Sequence, residues 1–142
     1  MSPGYEIDDD PARIDADAAY AFLSTQAYWG RWRTREDFEQ QVRGAWRVVA
    51  AYDATGAMVG FARAVSDGLA LAYLADVYVE PDHRGHGLGV ALVHAMIEDG
   101  PGRDFRWMLH TNDAQGLYAK FGFAEPTTVM ERPAGESKRA TS

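Results

Sequence analysis

The chain contains no cysteine among its 142 residues. This absence excludes disulfides, thiolate metal sites and cysteine nucleophiles, and it leaves no mark of an oxidising compartment. Long apolar runs are also missing, since no stretch approaches the ~18 residues that a membrane-spanning helix needs. The sequence does not open with the basic-then-apolar pattern of a secretory signal. We therefore expect a cytoplasmic protein.

Positive charge is scarce. The 14 Lys and Arg residues are outnumbered by 21 Asp and Glu residues, and the formal net charge is −7. This balance argues against nucleic acid or a membrane as a partner and mildly favours cationic or zwitterionic small molecules. At this length a single domain buries about two-thirds of the surface of its unfolded chain. We predict one domain over residues 1–131 and a disordered polar tail over residues 132–142.

The most informative segment is residues 74–97, where an apolar strand, a glycine-studded turn and an amphipathic helix follow one another. Glycines at positions 85, 87 and 89 let the backbone come close to a ligand. The first turn of the helix directs unpaired N–H groups and the positive end of its dipole toward an anion. Many glycine-rich turns of this kind bind nothing, and this one lacks both the Gly-x-Gly-x-x-Gly and the Gly-Lys-Ser/Thr signatures. The order of elements nevertheless predicts a phosphate cradle.

Hydrophobic periodicity along the rest of the chain predicts a mixed α/β fold with helices on both faces of the sheet. The predicted helices are residues 15–23, a helix capped by Thr34, residues 88–99 and residues 113–121, and the predicted strands are residues 5–7, 46–52, 58–65, 69–79, 103–109 and 123–130.

Two motifs connect this layout with a known family. The glycine loop reads Arg84-Gly85-His86-Gly87-Leu88-Gly89, with Val79-Glu80-Pro81 before it and Leu92 after it. This pattern resembles the pyrophosphate-binding motif of the GNAT superfamily of N-acetyltransferases. Residues 111–123, with a Leu-Tyr pair and a closing Gly-Phe, are similar to the last helix of that family. The resemblance covers nearly the whole chain and implies a mostly antiparallel central sheet whose middle strands splay apart.

The resemblance implies acetyl-CoA as cosubstrate and no metal. Backbone groups of Val77 and Val79 are expected to hold the pantetheine arm as an added strand is held, while their side chains pack in the core. Thr111 stands where many members have asparagine, so that contact departs from the family pattern. The residues implied to contact the cofactor are Val77, Tyr78, Val79, Arg84, Gly85, His86, Gly87, Leu88, Gly89, Val90, Thr111 and Tyr118.

The implied reaction is attack of a neutral amine on the acetyl thioester. An alkyl ammonium with a pKa of roughly 10 must first lose a proton. By family position, the backbone N–H of Val77 is the donor to the thioester oxygen, and Tyr118 is the acid that assists the departing sulfur. Outside such a motif, a tyrosine near a helix end is more often a packing residue.

Asp76 interrupts an apolar run, where an unpaired carboxylate would be costly to bury. In one interpretation it faces the acceptor site, binds the incoming ammonium and receives or relays its proton. In the other it forms a salt bridge with Arg63 or Arg47 on a neighbouring strand. The sequence gives the two interpretations equal support.

The segment between the first two helices is dense in aromatic residues and arginines, and in GNAT proteins it commonly forms one wall of the acceptor site. An arginine that binds a carboxylate there, with Asp76 at the amine, would make the acceptor resemble an amino acid. In the alternative interpretation, the arginines of this segment are exposed to solvent and its tryptophans cover the edge of the core. The candidate substrate-binding residues are Tyr28, Trp29, Arg31, Arg33 and Asp76.

Three histidines complete the set of candidates. His83 and His86 have no third metal ligand at suitable spacing. They are therefore better explained as loop residues beside the phosphates than as a pair of metal ligands. His110 ends a strand near the active centre, either as an aid to proton transfer or as a packed side chain.

The sequence thus predicts an acetyl-CoA-dependent N-acetyltransferase that acts on the primary amine of a small molecule. A non-catalytic acetyl-CoA sensor and a protein acetyltransferase, acting on a lysine or an N-terminus, are the alternatives. The resemblance also allows a homodimer, because related domains often pair.

Overall fold

The computed structural model describes residues 1–25 and 33–138. Its five-stranded sheet has the order β1-β2-β3-β4-β5, with antiparallel neighbours except for β5, which joins β4 in parallel. The predicted mixed, mostly antiparallel sheet is confirmed. The strands are β1 (Glu6–Asp8), β2 (Arg47–Tyr52), β3 (Met58–Ser66), β4 (Leu71–Val79) and β5 (Arg106–Met108). The helices are α1 (Ala16–Thr25), α2 (Arg35–Gly44), α3 (Leu88–Ile97) and α4 (Gln115–Ala119).

Side-chain caps fix the starts of the first two helices. The carboxylate of Asp15 accepts the N–H of Ala18 at 3.1 Å, in the first turn of α1. At α2, Thr34 Oγ1 accepts the N–H of Asp37 at 3.1 Å, and the Asp37 carboxylate accepts the N–H of Thr34 at 3.2 Å. Such caps satisfy N–H groups that have no partner within the helix.

Each face of the sheet carries its own hydrophobic core. On one face α3 packs Leu92 and Met96 against residues of β2 and β3. On the other face α1 and α2 place Phe22 and Phe38 against Phe61 and Tyr78. The rings of Phe22 and Tyr78 are stacked with their centroids 4.2 Å apart. Burial of these apolar side chains holds the helices on both sides of the sheet.

A β-bulge interrupts the pairing of β3 with β4. Arg63 lies opposite Asp76, whereas the next residue, Ala64, lies opposite Leu74, so Ala75 is an extra residue in β4. An extra residue shifts the alternation of side chains by one position. As a result Tyr73 and Asp76 lie on the same face of the strand, the one that α1 and α2 cover.

β4 and β5 part soon after they meet. They pair over Leu71–Tyr73 and Arg106–Met108, and β4 then continues to Val79 without β5. This separation is the expected splay of the middle strands.

The direction of the hydrogen bonds shows which backbone groups face the gap. The N–H of Glu80 donates to the carbonyl of Val59 at 2.8 Å, so the backbone at Glu80 is directed toward β3. Because this direction alternates along an antiparallel strand, the N–H and C=O groups of Val77 and Val79 are directed toward the gap.

The prediction of a last strand over residues 123–130 is wrong, because this segment has no regular structure. Pro126 has no N–H to donate to a neighbouring strand, and it restricts the backbone conformation of the residue before it. The strand predicted over residues 103–109 is limited to β5, and the helix predicted over residues 113–121 is limited to α4. Within residues 1–25 and 33–138, the helices are too short or too polar to traverse a bilayer.

Candidate active site

The glycine loop before α3 has the geometry of an anion-binding helix start. Gly85 and Gly87 adopt φ angles of 85° and 77°, in the left-handed region that disfavours other residues. The first bond of α3 joins the N–H of Ala91 to the carbonyl of Gly87 at 3.1 Å. The N–H groups of residues 88–90 precede this bond and are therefore directed out of the helix start, with the positive end of its dipole.

The N-terminal segment of the chain lies against this loop, which the sequence did not indicate. The N–H of Ser2 donates to the carbonyl of His86 at 2.9 Å, and the Tyr5 hydroxyl hydrogen-bonds His83 Nδ1 at 3.0 Å. A Cβ atom added at Gly87 would lie 3.2 Å from the backbone nitrogen of Met1. In the part of the chain that the structure describes, no three His, Asp or Glu side chains converge as a metal site.

Arg84 connects the loop with the open edge of β4. Its Nε donates to the carbonyl of Val79 at 3.2 Å. This bond places the guanidinium beside the gap between β4 and β5, between the strand and the start of α3. Arg84 therefore adds a positive charge where the glycine loop and the strand edge meet.

Tyr118 of α4 lies in the wall of a cleft of about 540 Å³ between β5 and residues 123–129. The side chains of His110 and Thr111 line the same cleft, while the glycine loop lies outside it. Thr111 Oγ1 accepts the N–H of Ala114 at 3.1 Å and so supports the turn that leads into α4. Burial, followed by the charge of Asp113, raises the pKa of Tyr118 to about 12. The phenol is therefore a protonated hydrogen-bond donor at neutral pH.

Asp76 is held by two arginines. Arg33 binds both of its oxygens, at 2.9 and 3.0 Å, and Arg63 Nε binds one of them at 2.8 Å. All three residues are buried, and Asp76 is only 2% exposed. Burial raises the pKa of Asp76, but the hydrogen bonds and charges of the two arginines outweigh burial and hold it below its usual value. Asp76 is therefore ionised and a weak proton acceptor.

The ion pair between Asp76 and Arg63 is one of the partnerships expected from the sequence. The other one, with Arg47, is absent, because Arg47 binds Asp9 at 2.8 Å and the carbonyl of Ala95 at 2.9 Å. Contact between Asp76 and an acceptor amine stays a prediction.

Of the candidate substrate-binding residues, Tyr28, Trp29 and Arg31 lie outside the described residues. Arg33 lies just before the Thr34 cap of α2, and beyond Asp76 it also donates to Gln41 at 2.9 Å. Its guanidinium thus joins the start of α2 to β4.

A second polar cluster lies where β4 and β5 part. The Tyr73 hydroxyl hydrogen-bonds His110 Nδ1, and His110 Nε2 hydrogen-bonds a carboxylate oxygen of Glu131. His110 was a candidate from the sequence, whereas Tyr73 and Glu131 were not. Strand periodicity could have placed Tyr73 near the site, but no local signal connects Glu131 with His110.

The chain resembles known acetyltransferases in sequence and in structure. A family model described as an acetyltransferase (GNAT) domain matches residues 44–125, which include β4, the glycine loop and Tyr118. A Gibberella zeae protein assigned as an acetyltransferase is 28% identical in an alignment 138 positions long, which covers 82% of this chain and 76% of that protein. The chloroplastic serotonin N-acetyltransferase 2 of Oryza sativa subsp. japonica is 36% identical over 81 residues, 56% of this chain and 40% of that enzyme.

Comparison with solved structures also finds a similar acetyltransferase. The crystal structure of a Xanthomonas campestris protein assigned to the GNAT family superposes with a TM-score of 0.87 and 30% identity, over 94% of this chain and 96% of that one.

Proposed function

The chain belongs to the GNAT family of acetyltransferases and is an acetyl-CoA-dependent N-acetyltransferase, and on this basis we propose that its acceptor is the primary amine of a small molecule. In this reaction the ammonium of the acceptor loses one proton, its nitrogen forms a bond with the acetyl carbon, the carbon–sulfur bond breaks, and the sulfur of CoA takes a second proton from that nitrogen and leaves as the thiol.

Acetyl-CoA binding, on which the proposal depends, is supported by the position of the α3 start beside the open edge of β4. Unpaired N–H groups at residues 88–90, together with Arg84, fit a diphosphate. The backbone groups of Val77 and Val79 that are directed toward the gap fit the amide-bearing pantetheine arm. When bound, acetyl-CoA supplies the activated acyl group.

We propose that Val77 stabilises the negative charge that develops on the thioester oxygen and that Tyr118 stabilises the negative charge on the departing sulfur. The N–H of Val77 is directed toward the gap and would donate to the thioester oxygen, where negative charge develops. The pKa of Tyr118, about 12, is well above the ~8.5 of a free thiol. Tyr118 would therefore stabilise the departing sulfur by donating a hydrogen bond, rather than by giving up its proton completely.

We place the acceptor on the α1–α2 side of β4, where Tyr73 and Asp76 share a face. Arg33 and Arg63 together carry more positive charge than Asp76 carries negative charge, so an ammonium would bind Asp76 only in exchange for one of these arginines. The lowered pKa of Asp76 makes it a poor acceptor for the proton of the ammonium. The rice relative, whose name specifies serotonin, favours a small amine over a protein.

The test measures free thiol when the purified chain is incubated with acetyl-CoA and separate amines. The panel contains serotonin, several amino acids, spermidine, kanamycin and a lysine-containing peptide. We expect thiol release above the amine-free rate with at least one small amine. Release with the peptide alone would favour a protein acetyltransferase. Binding of acetyl-CoA in calorimetry without release for any amine would favour the sensor.

A further inference from the structure

We infer that His110, oriented by Glu131 and linked to Tyr73, forms the path by which the acceptor amine loses its proton. This inference rests on the proposed function. It assigns a role to three side chains for which the match with the family model gives none.

The hydrogen bonds determine which nitrogen of His110 carries the proton. An ionised carboxylate can only accept, so Nε2 of a neutral His110 donates its proton to Glu131. Nδ1 then has a free electron pair and accepts the hydroxyl proton of Tyr73. The lone pairs of the Tyr73 oxygen are left to accept an N–H of a substrate. The three side chains thus form a chain of hydrogen bonds with a single direction.

The cluster also lies in the right place. Tyr73 is opposite Met108 in the last pair before β4 and β5 separate, and His110 follows β5 by two positions. His110 lines the cleft that contains Tyr118, the proposed donor to sulfur. The bulge at Ala75 puts Tyr73 on the same face as Asp76. The cluster therefore connects the sulfur side of the site with the acceptor side.

The proton moves in two linked transfers. A proton of the ammonium passes to the oxygen of Tyr73 while the hydroxyl proton of Tyr73 passes to Nδ1 of His110. The products are a neutral amine, a neutral phenol and an imidazolium that faces the Glu131 carboxylate. The amine nitrogen can then attack the acetyl carbon, and His110 later returns its proton to water.

The electrostatics of Tyr73 agree with this role. Burial, then the negative charges of Glu131 and Asp76, raise the pKa of Tyr73 above its usual value. Tyr73 therefore stays a neutral phenol near pH 7, which can pass a proton on but does not hold a negative charge.

A purely structural role explains the cluster poorly. The side chains of His110 and Glu131 are 61% and 54% exposed. Exposed pairs of this kind contribute little to stability, because water screens them and the side chains lose freedom when they pair. The chain offers a matched control, because His94 and Asp99 form a similarly exposed pair at 3.0 Å, on and just after α3.

The test compares His110→Gln, Tyr73→Phe and Glu131→Gln with His94→Gln. Each variant is assayed with acetyl-CoA and the panel amine that the wild type acetylates fastest. We expect His110→Gln to lower kcat/KM for the amine about 100-fold or more at pH 7, in the range of general base catalysis. The pH–rate profile of His110→Gln should also differ from that of the wild type, because the variant has no base at this position. Acetyl-CoA affinity from calorimetry should be unchanged.

Tyr73→Phe should act in the same way as His110→Gln, since it breaks the path at its first step. Glu131→Gln keeps a hydrogen-bond acceptor but removes the charge, so kcat should fall while the KM for acetyl-CoA stays constant. His94→Gln should match the wild type. If the first three variants keep the wild-type rate and pH profile, the inference is overturned although the proposed function stands. If the wild type releases no thiol with any amine, both are overturned.

Discussion

Burial of Tyr118 determines both its protonation and the kind of help it can give to the sulfur. Because burial and Asp113 raise the pKa of Tyr118 to about 12, the phenol keeps its proton across the working range of the enzyme. We predict that Tyr118→Phe lowers kcat about 10- to 100-fold, which corresponds to the ~1.5–3 kcal/mol of a hydrogen bond to a charged group. Thiol release at saturating acetyl-CoA measures this loss.

The pH dependence gives a second readout of Tyr118. The wild-type rate should show no basic limb from this phenol below about pH 10, since its proton is lost only near the raised pKa. Tyr52→Phe is the matched control, because the hydroxyl of Tyr52 donates to the carbonyl of Arg13, remote from the site. Equal kcat for Tyr118→Phe and wild type would remove Tyr118 from the reaction.

Asp76 should matter for stability as well as for the acceptor. Asp76→Asn leaves Arg33 and Arg63 buried around a neutral side chain, and breaking a buried ion pair in this way costs about 3–5 kcal/mol. Urea unfolding measures the loss. Asp17→Asn breaks an exposed pair with Arg35 and should leave the unfolding midpoint close to that of the wild type. A similar unfolding midpoint for both variants would contradict the prediction.

The lowered pKa of Asp76 fixes the pH range of its contribution. The stabilisation is complete above the unfolded-state pKa of ~3.9 and is lost as pH falls through the lower folded-state value. Acid unfolding of the wild type should therefore include a component that Asp76→Asn lacks. Equal acid dependence of the two proteins would mean that Asp76 is not ionised in the fold.

At the scale of elements, the start of α3 should determine cofactor affinity. Gly87→Ala forces a side chain into a left-handed conformation at a cost of about 1–2 kcal/mol, and its Cβ would lie close to Met1. We predict weaker acetyl-CoA binding in calorimetry. Gly44→Ala is the control, since Gly44 has open space and no positive φ. Unchanged affinity in a folded Gly87→Ala protein would exclude this loop from the cofactor site.

The elements that the sequence predicted well are those with strong local signals. The caps at Asp15 and Thr34 set helix starts, and the glycine loop marked the end of β4 and the beginning of α3. The strand predicted over residues 123–130 does not form, and Pro126 within it lacks the N–H that pairing with a neighbouring strand needs.

The bulge at Ala75 could not be predicted, since alanine in an apolar run carries no bulge signal. Strict alternation would have put Tyr73 and Asp76 on opposite faces of β4. One extra residue puts both side chains on the same face. The glycine loop can therefore be identified from the sequence, whereas the acceptor face of β4 cannot. The partnership of His110 with Glu131 likewise depends on the path of residues 123–131, which has no regular structure.

At the scale of the whole molecule, one cofactor would contact two elements, α3 and β4, that also pack against each other in the core. The start of α3 would bind the diphosphate, and the free edge of β4 would bind the pantetheine arm. A ligand that binds only the folded chain raises its stability, by about 2.7 kcal/mol at 100 times its Kd. For a chain of this size, that corresponds to a rise in Tm of roughly 5–10 °C.

The two halves of the cofactor can be separated experimentally. Pantetheine lacks the diphosphate, so it should raise Tm much less than CoA at equal concentration. In Gly87→Ala the rise with CoA should shrink toward that with pantetheine, whereas Gly44→Ala should keep the full difference. Because both ligands reach the same edge of β4, the difference between them reports the 3′-phospho-ADP part of CoA, and its loss in Gly87→Ala reports the share that depends on the α3 start. Equal shifts with the two ligands in the wild type would show that the glycine loop does not hold the diphosphate, and the proposed arrangement of the site would then be wrong.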